Sequence, residues 1–178
     1  AAAPAAPAKE AAKPEAAAAP AAVPPPAADL AKNLKVMEGK WKCDGKFPES
    51  PAGKAHTAKA TYETKSDLGG YWYLARYEEK KSKDNPVPYA MATEIGFDPS
   101  KGELIRTDVD NIGAVTHLTS KGFDGDKLVW TGESMAGPSK QQFKETQTKK
   151  SDKEIDISME LAGADGTFAS IGEIVCKK

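Results

Sequence analysis

The chain is poor in the residues that most active sites are built from. Only two histidines and two cysteines occur among 178 residues. No HExxH helix, CxxC pair or Cys/His zinc spacing can be made from them. A Walker loop, a GxGxxG run and a Gly-x-Ser-x-Gly elbow are absent too, and "TGESMAGPS" lacks the glycine that would have to follow its serine. No stretch approaches the roughly 20 apolar residues of a membrane-spanning helix. Acids and bases nearly cancel, 26 against 25, so no overall field draws the chain to nucleic acid or to an anionic surface. These absences argue against an enzyme, a metal site, a nucleic-acid partner and a transmembrane segment.

The first 28 residues contain no aromatic residue. Sixteen are Ala and seven are Pro, so almost nothing there can be buried against the roughly 1–2 kcal/mol per residue that ordering costs. Recurrent proline also prevents a long helix. Residues 1–28 read as a disordered, Ala/Pro-rich linker, reaching about 85 Å at most if extended as polyproline II. Residues 29–178 hold every aromatic side chain and both cysteines, and their number suits one domain. A chain starting in this way fits an exported protein whose signal peptide has been removed, secreted or periplasmic.

What is present after residue 28 is mostly alternation. One short helix is expected, with Leu30, Leu34 and Met37 on one face, Asp29 as its N-cap and Gly39 as its stop. Ten strands follow: Lys40–Phe47, Ala55–Lys65, Tyr71–Lys80, Tyr89–Phe97, Glu103–Asp110, Ala114–Gly122, Lys127–Glu133, Lys140–Lys149, Glu154–Leu161 and Thr167–Lys177. Turn signals such as "SDLGG", "DPSKG", "FDGD" and "GADG" separate them and leave no room for crossover helices. Consecutive strands should therefore be antiparallel neighbours, and an up-and-down barrel would remove the two exposed edges. A two-sheet sandwich is the alternative.

In the first strand Trp41, Cys43, Gly45 and Phe47 share a face. In the last, Phe168, Ser170, Gly172, Ile174 and Cys176 do. First and last strands adjoin in a closed barrel, so in an oxidising compartment Cys43 and Cys176 should form a disulfide.

Four stretches carry a family resemblance. "LKVMEGKWKCDGKF" resembles the opening of lipocalin-like (calycin) barrels, in which a tryptophan plugs one end. "LGGYWYLARYEEK", "EIGFDPSKGELIRTDVDN" and "KGFDGDKLVWTGE" are similar to an uncharacterised family of bacterial secreted proteins with a lipocalin-like barrel. The resemblance covers roughly Leu34 to Cys176. The resemblance implies an all-β, antiparallel, lipocalin-like barrel with a short N-terminal helix. The similar nitrobindin barrels hold haem through a histidine near the C-terminus. No histidine follows His117 here, so no cofactor is expected.

The barrel type implies a small apolar or amphipathic ligand. Candidate lining residues are Tyr71, Tyr73, Arg76, Tyr77, Tyr89, Met91, His117 and Trp130. Parity places Tyr71, Tyr73 and Tyr77 opposite Trp72, Leu74 and Arg76, and leaves open which set faces inward. The blander reading of the same aromatics is plain core. Asp108, Asp110, Asp124 and Asp126 read as turn residues. "KSKDNPVP" and "KETQTKKSDKE" read as solvated surface. Non-catalytic interaction at the cell envelope, with the linker as tether, is the alternative function.

Overall fold

The computed structural model describes residues 23–50, 54–83 and 85–178. The linker expected over residues 1–28 therefore lies outside the described residues as far as residue 22. Helix α1 (Ala28–Leu34) continues into a 3-10 turn at Lys35–Met37. Leu30, Leu34 and Met37 are buried as their spacing requires. The helix starts two residues earlier than expected. Its N-cap is Ala27, which has no capping side chain, and Asp29 sits in the first turn, where a carboxylate favours the positive helix end. Gly39 ends the turn at φ 103°.

Eleven strands follow: β1 (Gly39–Phe47), β2 (His56–Asp67), β3 (Trp72–Glu79), β4 (Ala90–Asp98), β5 (Glu103–Asp110), β6 (Ala114–Ser120), β7 (Phe123–Asp124), β8 (Lys127–Ala136), β9 (Ser139–Ser151), β10 (Glu154–Ala162) and β11 (Phe168–Lys177). All the pairings between them are antiparallel. Because β1 pairs with β11 and β6 with β8, the sheet closes into a ten-stranded barrel. Closure excludes the sandwich. Among the described residues, the two-residue β7 is the one strand not foreseen. It makes a tight hairpin with β8, Asp124 opposite Lys127.

Why a separate β7 exists is visible in Asn33. Its Nδ2 donates to Asp29 O at 2.7 Å, and its Oδ1 accepts from Phe123 N at 2.7 Å. Helix α1 is thus hydrogen-bonded to β7. Gly122, at φ 93°, lets the chain pass, since a Cβ there would stand 2.6 Å from Asn33 Oδ1. Leu30 and Leu34 then pack with Tyr73, Ile95, Leu104, Leu118, Leu128 and Trp130 and seal this end, the lid end. Full burial of each such leucine stabilises by about 1.5–3 kcal/mol. Trp41 completes the plug. Its Nε1 donates to Met37 O at 2.8 Å, and Lys178 Nζ lies 4.4 Å from its ring centroid.

The opposite end, the mouth, carries the connections at 111–113, 137–138 and 163–167, and there β1 and β3 end and β2 and β4 begin. The disulfide Cys43–Cys176 is formed between directly opposed register positions. It crosses the least-paired seam of the barrel. Strands β1 and β11 share five register pairs, whereas β8 and β9 share ten.

Candidate functional site

The register decides which face looks inward. On β3 the inward residues are Tyr73, Ala75, Tyr77 and Glu79, all buried, while Arg76 is exposed. The tyrosines, not Trp72 and Arg76, therefore line the interior. Arg76 Nε donates to Glu78 on the outer surface. Tyr89, Met91 and Trp130 also belong to the two packed clusters of the interior. Three expected lining residues do not. Tyr71 lies in the turn before β3 and donates from its hydroxyl to Pro24 O. His117 is exposed on the outer face of β6, with Nδ1 3.1 Å from Thr107 Oγ1. Arg76 is the third. His56 is half-buried at the start of β2, its ring stacked on Phe47 at 4.7 Å.

A layer of buried charge crosses the interior, and sequence reading missed it. Arg106 Nη1 donates to Glu145 Oε1 at 2.7 Å, Nη2 to Glu145 Oε2 at 3.3 Å, and Nε to Asp108 Oδ1 at 2.8 Å. Thr93 Oγ1 donates to Asp108 and Gln147 Nε2 to Glu145, each at 2.7 Å. The guanidinium also lies 5.6 Å from the Trp130 ring centroid. Burial by itself would lower the Arg106 pKa. The Asp108 and Glu145 carboxylates outweigh it and hold the group protonated, well above its ordinary value. Asp108 is thus an interior residue and not a turn residue. Glu145 and Gln147, at 5% and 4% exposure, are not solvated surface.

Asp110 does hold a turn. Its Oδ1 accepts from Ile112 N and Ala114 N, and its Oδ2 accepts from the Tyr89 hydroxyl. At the mouth, buried Glu79 accepts from Asn85 Nδ2 at 2.7 Å and from Tyr89 N at 2.9 Å. These bonds fold part of the expected surface loop "KSKDNPVP" onto the barrel, with Asn85 buried. Among the described residues no His, Cys, Asp or Glu cluster is placed to hold a metal ion.

Four interior tyrosines titrate late. Burial raises Tyr73 to about 12, helped by its hydrogen bond to Glu38. Burial also raises Tyr62, and raises Tyr77 and Tyr89 with added repulsion from Glu79 and Asp110. Such groups keep their protons in the folded state where the unfolded chain, near pH 10, has lost them. Their contribution is therefore complete below pH 10 and falls as pH rises through 10 toward 12 and beyond. Tyrosinate absorbance is expected to appear together with loss of circular dichroism over that range. Smooth titration of all tyrosines near pH 10 in a folded protein would contradict the placement.

Burial along the inward faces is uneven. Toward the lid, Leu104, Leu118, Leu128 and Trp130 are sealed. Toward the mouth, inward-facing Phe47, Met91, Thr116, Ser134, Phe143 and Met159 are only half-buried. Solvent thus reaches the mouth half of the interior. One side of it, on β1–β3, β10 and β11, is mainly apolar. The other carries Thr93, Asp108, Thr116 and Ser134, with Thr116 Oγ1 donating to Ser134 Oγ at 2.9 Å.

The profile of a family described as "Protein of unknown function (DUF1579)" matches residues 29–178. No curated protein matches the chain. Among solved structures the fold is similar to the crystal structure of Rv2717c from M. tuberculosis. The TM-score is 0.69 at 13% identity, over 86% of this chain and 98% of that one. A redesigned β-barrel aligns over 82% of this chain and 94% of its own, at 9% identity and a TM-score of 0.40. At such identities the likeness to Rv2717c concerns the fold alone.

Proposed function

The chain belongs to the DUF1579 family of proteins of unknown function, and from that premise we propose that it is an exported, non-catalytic barrel that binds a small amphipathic ligand in the mouth half of its interior. The carrying observation is the solvent-reached, half-buried lining of Met91, Thr116, Ser134, Phe143 and Met159 above a sealed lid end. An apolar wall facing a polar one suits a molecule with one greasy and one hydrogen-bonding side. Arg106 is already engaged by two carboxylates, so it is not free to take the head group of a fatty acid. A disulfide fits an oxidising compartment, and no helix among the described residues is long and apolar enough to cross a membrane. Residues of the sort used for catalysis are scarce, which favours binding over turnover.

Titration of the full, oxidised chain with the neutral dye Nile red is the test. Saturable binding of one dye per chain, with a blue shift and displacement by uncharged amphipaths, is expected. Emission that rises without saturating, or does not rise, would overturn the reading.

One observation favours the envelope-module alternative as a companion role. The Tyr71 hydroxyl bond to Pro24 O fixes the residues before α1 at the lid end. A tether leaving there would point the mouth away from its anchor.

A further inference from the structure

Three neighbouring connections at the mouth carry an apolar surface that the ligand reading does not use. They are the segment 85–89 before β4, the β5–β6 turn 111–113 and the β8–β9 turn 137–138. Their sequences, "NPVPY", "NIG" and "GP", hold no charged residue. Turns at the lid end differ. The turn 99–102 carries Lys101, 125–126 carries Asp126, and 152–153 is Asp-Lys. At the mouth Val87 is 79% exposed and Ile112 66%, with Pro86 and Pro138 exposed beside them.

Both aliphatic tips are held in place by hydrogen bonds. Asn111 joins the first two connections, since its Nδ2 donates to Pro88 O at 2.9 Å and its Oδ1 accepts from Ala90 N at 3.0 Å. Ala114 opposite Ala136 joins the second to the third. Val87 stands between Pro86 and Pro88, which restrict the backbone on both sides of it, and buried Asn85 anchors the segment on Glu79. Ile112 N and Ala114 N donate to Asp110. The apolar surface continues down the outer wall. Its first outward row is Ala92, Val109, Val115 and Met135, directly opposed across β4, β5, β6 and β8. The outward residues of β1, by contrast, are Lys40, Lys42, Asp44 and Lys46. Cations border the patch. Lys80, Lys81 and Lys83, all exposed, precede it in the sequence against one acid, Asp84.

We propose that this side of the mouth docks on an anionic lipid surface, with Val87 and Ile112 entering the headgroup layer and the three lysines meeting its negative charge. Contiguous exposed apolar surface marks an interaction face. Protruding aliphatic tips enter a fluid layer without needing a matching surface, and lysines beside them are drawn to anionic headgroups. The docked mouth opens onto the layer in which amphipaths dissolve. Docking itself does not depend on the ligand reading.

Co-sedimentation of the full, oxidised protein with sucrose-loaded vesicles tests it. Vesicles of equimolar phosphatidylglycerol and phosphatidylcholine should carry the protein down at low salt. Pure phosphatidylcholine should carry little, and added salt should release the protein. Val87→Asp with Ile112→Asp should weaken the apparent affinity by about tenfold or more, because two apolar tips are lost and two repelled charges gained. Lys81→Glu with Lys83→Glu, again on exposed side chains, should do the same. Leu68→Asp puts the same charge on a 67% exposed leucine at the lid end and should bind like the parent. Bare vesicles at low salt, double variants that both stay within about twofold of the parent, or an equal loss in Leu68→Asp would overturn the proposal. So would a parent that leaves the vesicles bare yet self-associates through Val87 and Ile112, which makes the face a contact between copies. No dye enters the experiment, so the docking face and the chamber stand or fall separately.

Discussion

Replacing Cys43 and Cys176 together by alanine is expected to cost about 4–5 kcal/mol, the chain-entropy value for a loop beyond 100 residues. The bridge spans a sequence separation of 133. For a domain of this size the loss corresponds to a melting point lower by roughly 10–20 °C. The effect should be local as well as global. The bridged seam has five register pairs against six to ten at every other seam of the barrel. Strands joined by fewer pairs open more readily. Amide hydrogen exchange in the double variant should accelerate first along β1 and β11, while β8 and β9 stay protected. Uniform acceleration across the barrel, or a melting point unchanged, would show that the disulfide does not carry the closure.

Arg106→Met is the second large effect. The substitution keeps much of the side-chain volume but leaves Asp108 and Glu145 buried without their counter-charge. Removing one partner of a buried ion pair costs about 3–5 kcal/mol, because the remaining charge is stranded. Here two carboxylates are stranded at 5% exposure each. Arg106→Lys should recover little, since one ammonium cannot reproduce the fork that meets Asp108 through Nε and Glu145 through both terminal nitrogens. Adding Asp108→Asn and Glu145→Gln to Arg106→Met should restore most of the loss, because the amides can hydrogen-bond without charge. Urea denaturation measures all three. If Arg106→Met costs less than about 1 kcal/mol, as exposed pairs do, the charge layer is not sealed.

The frame of the protein was legible because alternation and turn chemistry agree with the final register. Trp41 and Cys43 on one strand, and Ile174 and Cys176 on another, repeat every second residue and need a common interior. Parity can fix such pairs without any knowledge of the rest. It failed at β5 and β9. On β5 the apolar residues Ile105 and Val109 mark one face, yet Leu104, Arg106 and Asp108 are the inward set, and Val109 is 48% exposed. A buried ion network inverts the usual pattern, and its central pair, Arg106 on β5 with Glu145 on β9, joins strands far apart in the sequence. Glu145 is 39 residues from Arg106, and nothing local in "KETQTKK" announces that its one acid will meet a guanidinium. The same limit applies to the ligand residues. Tyr73, Tyr77, Tyr89, Met91 and Trp130 come inside with their strands. Arg76 and His117 stay outside because one residue of offset reverses a side chain, and Tyr71 lies in the turn before its strand begins.

The central claim is that the mouth half of the interior holds a ligand. A crystal structure of the oxidised protein, grown with a brominated uncharged amphipath, tests it most directly. The anomalous bromine signal is expected inside the barrel, in van der Waals contact with Met91, Phe143 or Met159. Bromine found only on the outer surface, with those side chains packed against one another and no space between them, would contradict the account.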